Sequence, residues 1–194
     1  MSRRIIIGRE EFVPTKDQKF FFDTSVWLHM YGPRLDTRDP NTIAYSRLYK
    51  NILEADASVV IDYLVVAEFA NRYLRDYHRF LKETEAVTDN WKQFRKTTEY
   101  QSCVQGLSDE LYHVLQAAKK LPLEYDLGDL SSWVDEFAAR EVDFNDVVYW
   151  KTCIQHKLIF VTHDADCHFM DIDIVSANRR LGFSAGPSDA GNRG

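Results

Sequence analysis

The sequence predicts an α/β domain with a central parallel sheet of four or more strands and helices on both faces. Three observations predict it. Runs at residues 19–22, 58–63 and 157–162 are rich in Val, Ile, Leu and Phe and too short for independent helices. Longer stretches with helical spacing separate these runs. Strands that alternate with helices in this way pair in parallel.

Residues 5–7 form a short apolar segment ahead of a polar stretch and are assigned no strand. Lys19-Phe20-Phe21-Phe22 then leads straight into Asp23, a buried strand ending in an acid and followed by a short helix. Gly32-Pro33 and Asp39-Pro40 bracket the next loop. Helical patterns cover 42–56, 64–82, 89 to about 120, 129–140 and 146–156, and Pro122 stops the third of them. In the last, Val147, Trp150 and Ile154 recur at i, i+3 and i+7, the period of one buried face. A further strand is expected at 172–176. From Gly182 onward Gly, Ser, Pro, Asp and Asn dominate, so residues 1–181 are expected as a single domain and 182–194 as a disordered tail.

Composition narrows the class. A chain of 194 residues buries one substantial core, and 45% hydrophobic with 28% charged residues excludes disordered and fibrous readings. No uninterrupted apolar stretch approaches the roughly 18 residues of a spanning helix, so neither membrane insertion nor secretion is expected. Cys103, Cys153 and Cys167 are an odd, scattered set, which fits a reducing compartment and a cytoplasmic location. The net charge of −6 argues against a surface uniformly adapted to polyanions, so any RNA contact is expected to be local.

The acids matter by position. Asp23 ends one apolar strand and Asp164 follows another by two residues, so both emerge at the carboxyl edge of the sheet, where open parallel sheets bind ligands. Glu68 lies one turn into the helix after 58–63, and Asp146 opens the helix that leads to the strand before Asp164. Four carboxylates gathered without a cation repel one another. An oxygen-only set selects a hard cation, Mg²⁺ or Mn²⁺, which is usually shared with substrate phosphate. Phosphodiester hydrolysis follows from that chemistry.

Three segments carry a resemblance. Phe22-Asp23-Thr24-Ser25-Val26-Trp27-Leu28 resembles the opening motif of PIN domains, an apolar strand running into Asp-Thr-Ser or Asp-Thr-Asn. Val65-Val66-Ala67-Glu68-Phe69-Ala70-Asn71 resembles their second motif, with Glu68 in the acidic slot. Asn145-Asp146-Val147-Val148, continued through Leu158 to Asp166, resembles the closing half, and 164 minus 146 gives the family's separation of 18 residues. Tyr63 stands where a small hydroxyl residue is common, and Cys167 where phenylalanine is. The interval from 68 to 146 spans 78 residues, so the helical region between the second and third acidic motifs is enlarged. The resemblance covers about residues 19–178. It implies a metal-dependent endoribonuclease leaving 5′-phosphate and 3′-hydroxyl ends. Asp23, Glu68, Asp146 and Asp164 would be the catalytic, metal-holding acids. It also implies a homodimer and, if the protein is the toxin of a toxin–antitoxin pair, an antitoxin partner.

Other residues divide between function and plain structure. Asp166 is either a further metal ligand or a solvated loop acid, while Asp143 reads as a helix cap. Ser25 and Thr162 can bind substrate phosphate or hold a carboxylate in place. Arg72 and Arg75 share a helical face with Glu68, and Arg72 either meets substrate or forms an i,i+4 ion pair. Trp91, Lys92, Arg95 and Lys96 read as a solvated helix face with one buried tryptophan rather than an RNA grip. His163, Cys167 and His168 lack the paired spacing of a zinc site. The main rival to a nuclease is a catalytically inactive PIN-like protein-binding module. A haloacid-dehalogenase-like phosphotransferase needs a second aspartate where Ser25 stands.

Overall fold

Phe20, Phe21 and Phe22 have no exposed surface, so the strand they form, β2 (Lys19–Phe22), has core on both faces, as a strand inside a parallel sheet must. Phe21 packs its ring 5.5 Å from Tyr149, whereas Phe22 packs 5.3 Å from Trp27 and 6.3 Å from Tyr49. Successive side chains point to opposite faces. One face is therefore covered by α7 (Phe144–His156) and the other by α1 (Thr24–Tyr31) and α2 (Pro40–Glu54).

The computed structural model describes residues 3–7, 12–87, 90–121, 127–140 and 142–183. Its strands, in chain order, are β1 (Arg4–Ile6), β2, β3 (Ser58–Ile61), β4 (Lys119–Lys120), β5 (Ile159–Val161) and β6 (Ile174–Ser176). They form one six-stranded sheet in the order β1-β6-β5-β2-β3-β4, every pair parallel. From β2 the chain steps outward to β3 and then, through α3 (Tyr63–Glu83), α4 (Trp91–Phe94) and α5 (Thr98–Ala117), to β4. It then crosses back through α6 (Leu127–Ala138) and α7 to β5, on the other side of β2. Connections of this kind are right-handed, so the reversal of direction between β2 and β5 puts the two helix sets on opposite faces. That reversal also opens a crevice at the carboxyl ends of β2 and β5.

The sheet has six strands, in keeping with the four or more that the pattern predicts. Segment 5–7, assigned no strand, largely falls within β1, whose Ile5 pairs with Val175. The helix expected over 89 to about 120 is broken: α4 ends at Phe94, and α5 starts afresh with the Thr97 hydroxyl accepting from the Tyr100 amide at 3.2 Å. Residues Lys119 and Lys120, expected at that helix's end, instead form the edge strand β4. Ile154, expected in the buried face of α7, is 48% exposed; the face that meets the core carries Tyr149, Trp150 and Cys153. Gly182 and Phe183, expected in a tail, close a 3-10 turn over Arg179–Phe183, and 184–194 lie outside the described residues.

α7 hands over to β5 through Lys157, which sits in the left-handed region at φ 53°, ψ 50°. A Cβ is strained there, and glycine is the residue helices prefer at this place. Lys157→Gly is expected to raise the unfolding free energy by about 0.5 to 1 kcal/mol, read from the urea midpoint; a lower midpoint would contradict this account of the turn.

Candidate active site

The end of β2 is joined to the end of β5. Asp23 leaves β2 as the residue before α1, and its amide donates to the Val161 carbonyl at 2.9 Å. Its carboxyl is buried, with 7% of the residue exposed. The hydroxyls of Ser25 and Thr162 both donate to the same oxygen, Oδ2, at 2.5 Å and 2.9 Å. The network extends into the loop after β5: the amide of His163 donates to Ser25 Oγ at 3.0 Å, and that of Asp164 to Thr162 Oγ1 at 2.9 Å. Asp164 Oδ1 in turn accepts from the Asp166 amide at 2.9 Å. Two loops far apart in sequence are thereby fastened around one carboxylate.

Glu68 comes from α3. That helix is started by Asp62, whose Oδ1 accepts from the Val65 amide at 2.8 Å, while Tyr63 lies exposed. The capping at this turn thus belongs to Asp62. Tyr149 Oη donates to Glu68 Oε2 at 2.6 Å, and Asn145 Nδ2 to the same oxygen at 3.3 Å. Burial and the neighbouring carboxylate push the Tyr149 phenol far above its usual range, so it remains a donor. Arg72 pairs with Glu68 Oε1 at 3.4 Å, the i,i+4 ion pair considered for it, and an exposed pair of this kind contributes little stability.

A cleft of about 440 Å³ is walled by Asp143, Asp146, Asp164 and Asp166, with Arg140, Phe137 and Val142. Asp23 and Glu68 are not part of its wall. The link is electrostatic: Asp146 is held up to about 7, first by burial and then by the charges of Asp23, Asp164 and Asp143. Asp23 is also raised, chiefly by burial, with Glu68 adding to it and the Ser25 and Thr162 hydroxyls opposing. The sequence-predicted acids therefore form a chain of neighbours, from Glu68 to Asp23 to Asp146 and Asp164, with Asp166 at the cleft rim.

Carboxylates that raise each other's affinity for protons are suited to a cation, and the donors here are all oxygen. Among the described residues no three Asp, Glu, His or Cys side chains already stand as a coordination set. An all-oxygen donor set is the chemistry of a hard divalent ion such as Mg²⁺ or Mn²⁺, which one or two carboxylates can hold with water and substrate phosphate completing the shell. The residues fit such an ion.

Thr162, considered for contact with substrate, has no exposed surface, and its hydroxyl is committed to Asp23 and to the Asp164 amide. It holds the acid in place instead. Ser25 is engaged in the same way. Asp143, read as a cap, makes no side-chain capping bond and lines the cleft. Tyr149 and Arg140 were not singled out from sequence, and Asn145 only as the first residue of the closing motif, with no role given to it. All three lie on or just before α7, near Asp146, which is the one signal that pointed to them. Arg140 is held over Trp150 and Phe169, at 5.2 Å and 5.5 Å, and pairs with Glu136.

The fold and the site together define an α/β protein with an acidic cleft at the switch point of a parallel sheet. The chain belongs to the PIN-domain family: the PIN domain family model matches residues 20–174. PIN domains are nucleases as a class, and nucleases of this family typically use divalent cations. No curated protein matches the chain in sequence. Among solved structures, the crystal structure of PAE2754 from Pyrobaculum aerophilum is similar at 14% identity and a TM-score of 0.49, covering 86% of this chain and 96% of that one. The family assignment rests on the sequence model. No helix among the described residues is long and apolar enough to cross a membrane.

Proposed function

We propose that this chain is a metal-dependent endoribonuclease that hydrolyses RNA phosphodiester bonds. Asp23, Glu68, Asp146 and Asp164 serve as its acid centre, Asp166 is an additional ligand, and Mg²⁺ or Mn²⁺ is the cofactor. The observation that carries this reading is the gathering of carboxyls from the end of β2, α7 and the loop after β5 around Asp146, whose pKa burial first and then their charges lift to about 7. A divalent ion bound there would polarise a phosphoryl oxygen and make a water nucleophilic near neutral pH. The chain's own part is positional. Ser25 and Thr162 fix Asp23, Tyr149 and Asn145 fix Glu68, and Arg140 and Arg72 offer positive charge to phosphate.

The toxin half of a toxin–antitoxin pair is the biological role that the resemblance favours, with the protein as a cytoplasmic homodimer. Its antitoxin would be a small protein masking the acidic cleft. A second reading, a catalytically inactive protein-binding module, would keep the fold and use the enlarged helical region between Glu68 and Asp146 to hold a protein partner. Incubation of the purified protein with a labelled RNA separates the two. The nuclease reading expects cleavage with Mn²⁺ or Mg²⁺, none with a chelator, and recovery when metal is added back. Absence of both cleavage and Mn²⁺ binding would leave the binding module as the better account.

A further inference from the structure

Glu68, Arg72, Arg75, Arg79 and Lys82 recur at steps of four and three along α3, so they form one stripe on a single helical face. At 1.5 Å per residue the stripe runs about 21 Å away from the acid centre. Its four cations are exposed. It begins at the centre itself, since Arg72 pairs with Glu68 and its charge is felt by Asp23. At the far end Arg75, His78, Arg79 and Lys82 line a groove of about 450 Å³ with Trp91 of α4.

The aromatic part of this groove is built rather than incidental. Arg75 lies over the Trp91 ring at 5.3 Å, and His78 stacks on the buried Phe94 at 4.6 Å. A guanidinium placed over a tryptophan ring offers a plane on which a nucleobase can stack, while its neighbours neutralise phosphates. Arg79 is partnered by Asp76 at 3.4 Å, but among the described residues neither Arg75 nor Lys82 is in an ion pair. Such a collection of cations stands out on a chain of net charge −6.

We propose that the α3 stripe and Trp91 form a track for single-stranded RNA, leading the strand from the Trp91 groove along α3 into the acidic cleft. The proposal rests on the nuclease reading for the identity of its ligand but is tested without cleavage. Fluorescence anisotropy of a short, unstructured, end-labelled RNA is followed across a salt series. The protein carries Asp146→Asn, and a chelator is present, so that nothing is cut. Adding Arg75→Ala, Arg79→Ala and Lys82→Ala together is expected to weaken binding by at least about tenfold. The salt slope should fall by about 2, since each single-strand phosphate contact contributes about 0.7. Arg75→Lys should keep the salt slope yet bind more weakly, because it keeps the charge and loses the plane. Thermal melting confirms that these exposed substitutions leave the fold intact.

An unchanged affinity and slope in the triple variant would overturn the track, as would tighter binding of an acidic peptide than of RNA at the same salt. If the triple variant loses RNA binding while the unmodified protein cleaves nothing with Mn²⁺, the track stands and the nuclease reading fails. If the unmodified protein cleaves and the triple variant binds RNA like its parent, only the track fails.

Discussion

Asp23→Asn is expected to reduce Mn²⁺-dependent RNA cleavage by at least about a hundredfold while leaving the fold intact. Partners that merely orient a metal ligand are each worth about 10 to 100-fold, and Asp23 is proposed as a ligand. Two hydroxyls donate to its Oδ2. An asparagine keeps those bonds by presenting its oxygen to Ser25 and Thr162, which turns its amide hydrogens toward the place a cation would occupy. The loss is therefore electrostatic rather than structural. Because burial raises the Asp23 pKa, the folded protein disfavours the carboxylate, and removing the charge should leave melting of the metal-free protein unchanged or raised. Single-turnover cleavage and a circular dichroism melt measure the two halves. Cleavage within a few-fold of the parent would remove Asp23 from the proposed machinery.

A second large effect is expected in the pH dependence of metal binding. Asp146 is raised from 3.8 to about 7 in the folded protein. Below the unfolded value both states hold the proton and stability is at its fullest. As the pH rises, the unfolded chain gives up the proton first, so the metal-free protein loses stability until the pH passes the folded value near 7. A metal ion must displace that proton, so Mn²⁺ affinity should climb about tenfold per pH unit below 7 and level off above it. Calorimetric titration from pH 5 to 8 reads the affinity, and melting with and without Mn²⁺ reads the stability. Asp146→Asn should flatten both curves. A Mn²⁺ affinity that is independent of pH in the parent would mean that Asp146 is not where the ion competes with protons.

Much of this site was legible in the linear sequence because the strongest signals are also the most local. Asp23 is visible because an acid directly after three phenylalanines has few places to be except a strand end, and Asp164 because it follows another such run. What stayed hidden depends on how side chains are turned about a helix. Tyr149 and Asn145 reach Glu68 across 81 and 77 positions of sequence, and nothing in their spacing announces it. Asp143 carries the composition of a cap and does the work of a cleft wall. β4 escaped for a different reason: two exposed lysines have no apolar pattern, and the strand exists only because Val60 and Ile61 offer it partners. Ile154 misled because a helical period specifies a face without saying how much of its length the sheet covers.

The knot of hydrogen bonds around Asp23 joins the earliest strand of the matched region to its last loop. A ribosome releases residue 23 long before residue 164, and until both are free the hydroxyl of Thr162 has no carboxylate to meet. A chain stopped before residue 162 therefore carries Asp23 without the Thr162 hydroxyl that donates to it and without the Asp164 carboxylate beyond it, so the centre is assembled only once both ends of the matched region have been made.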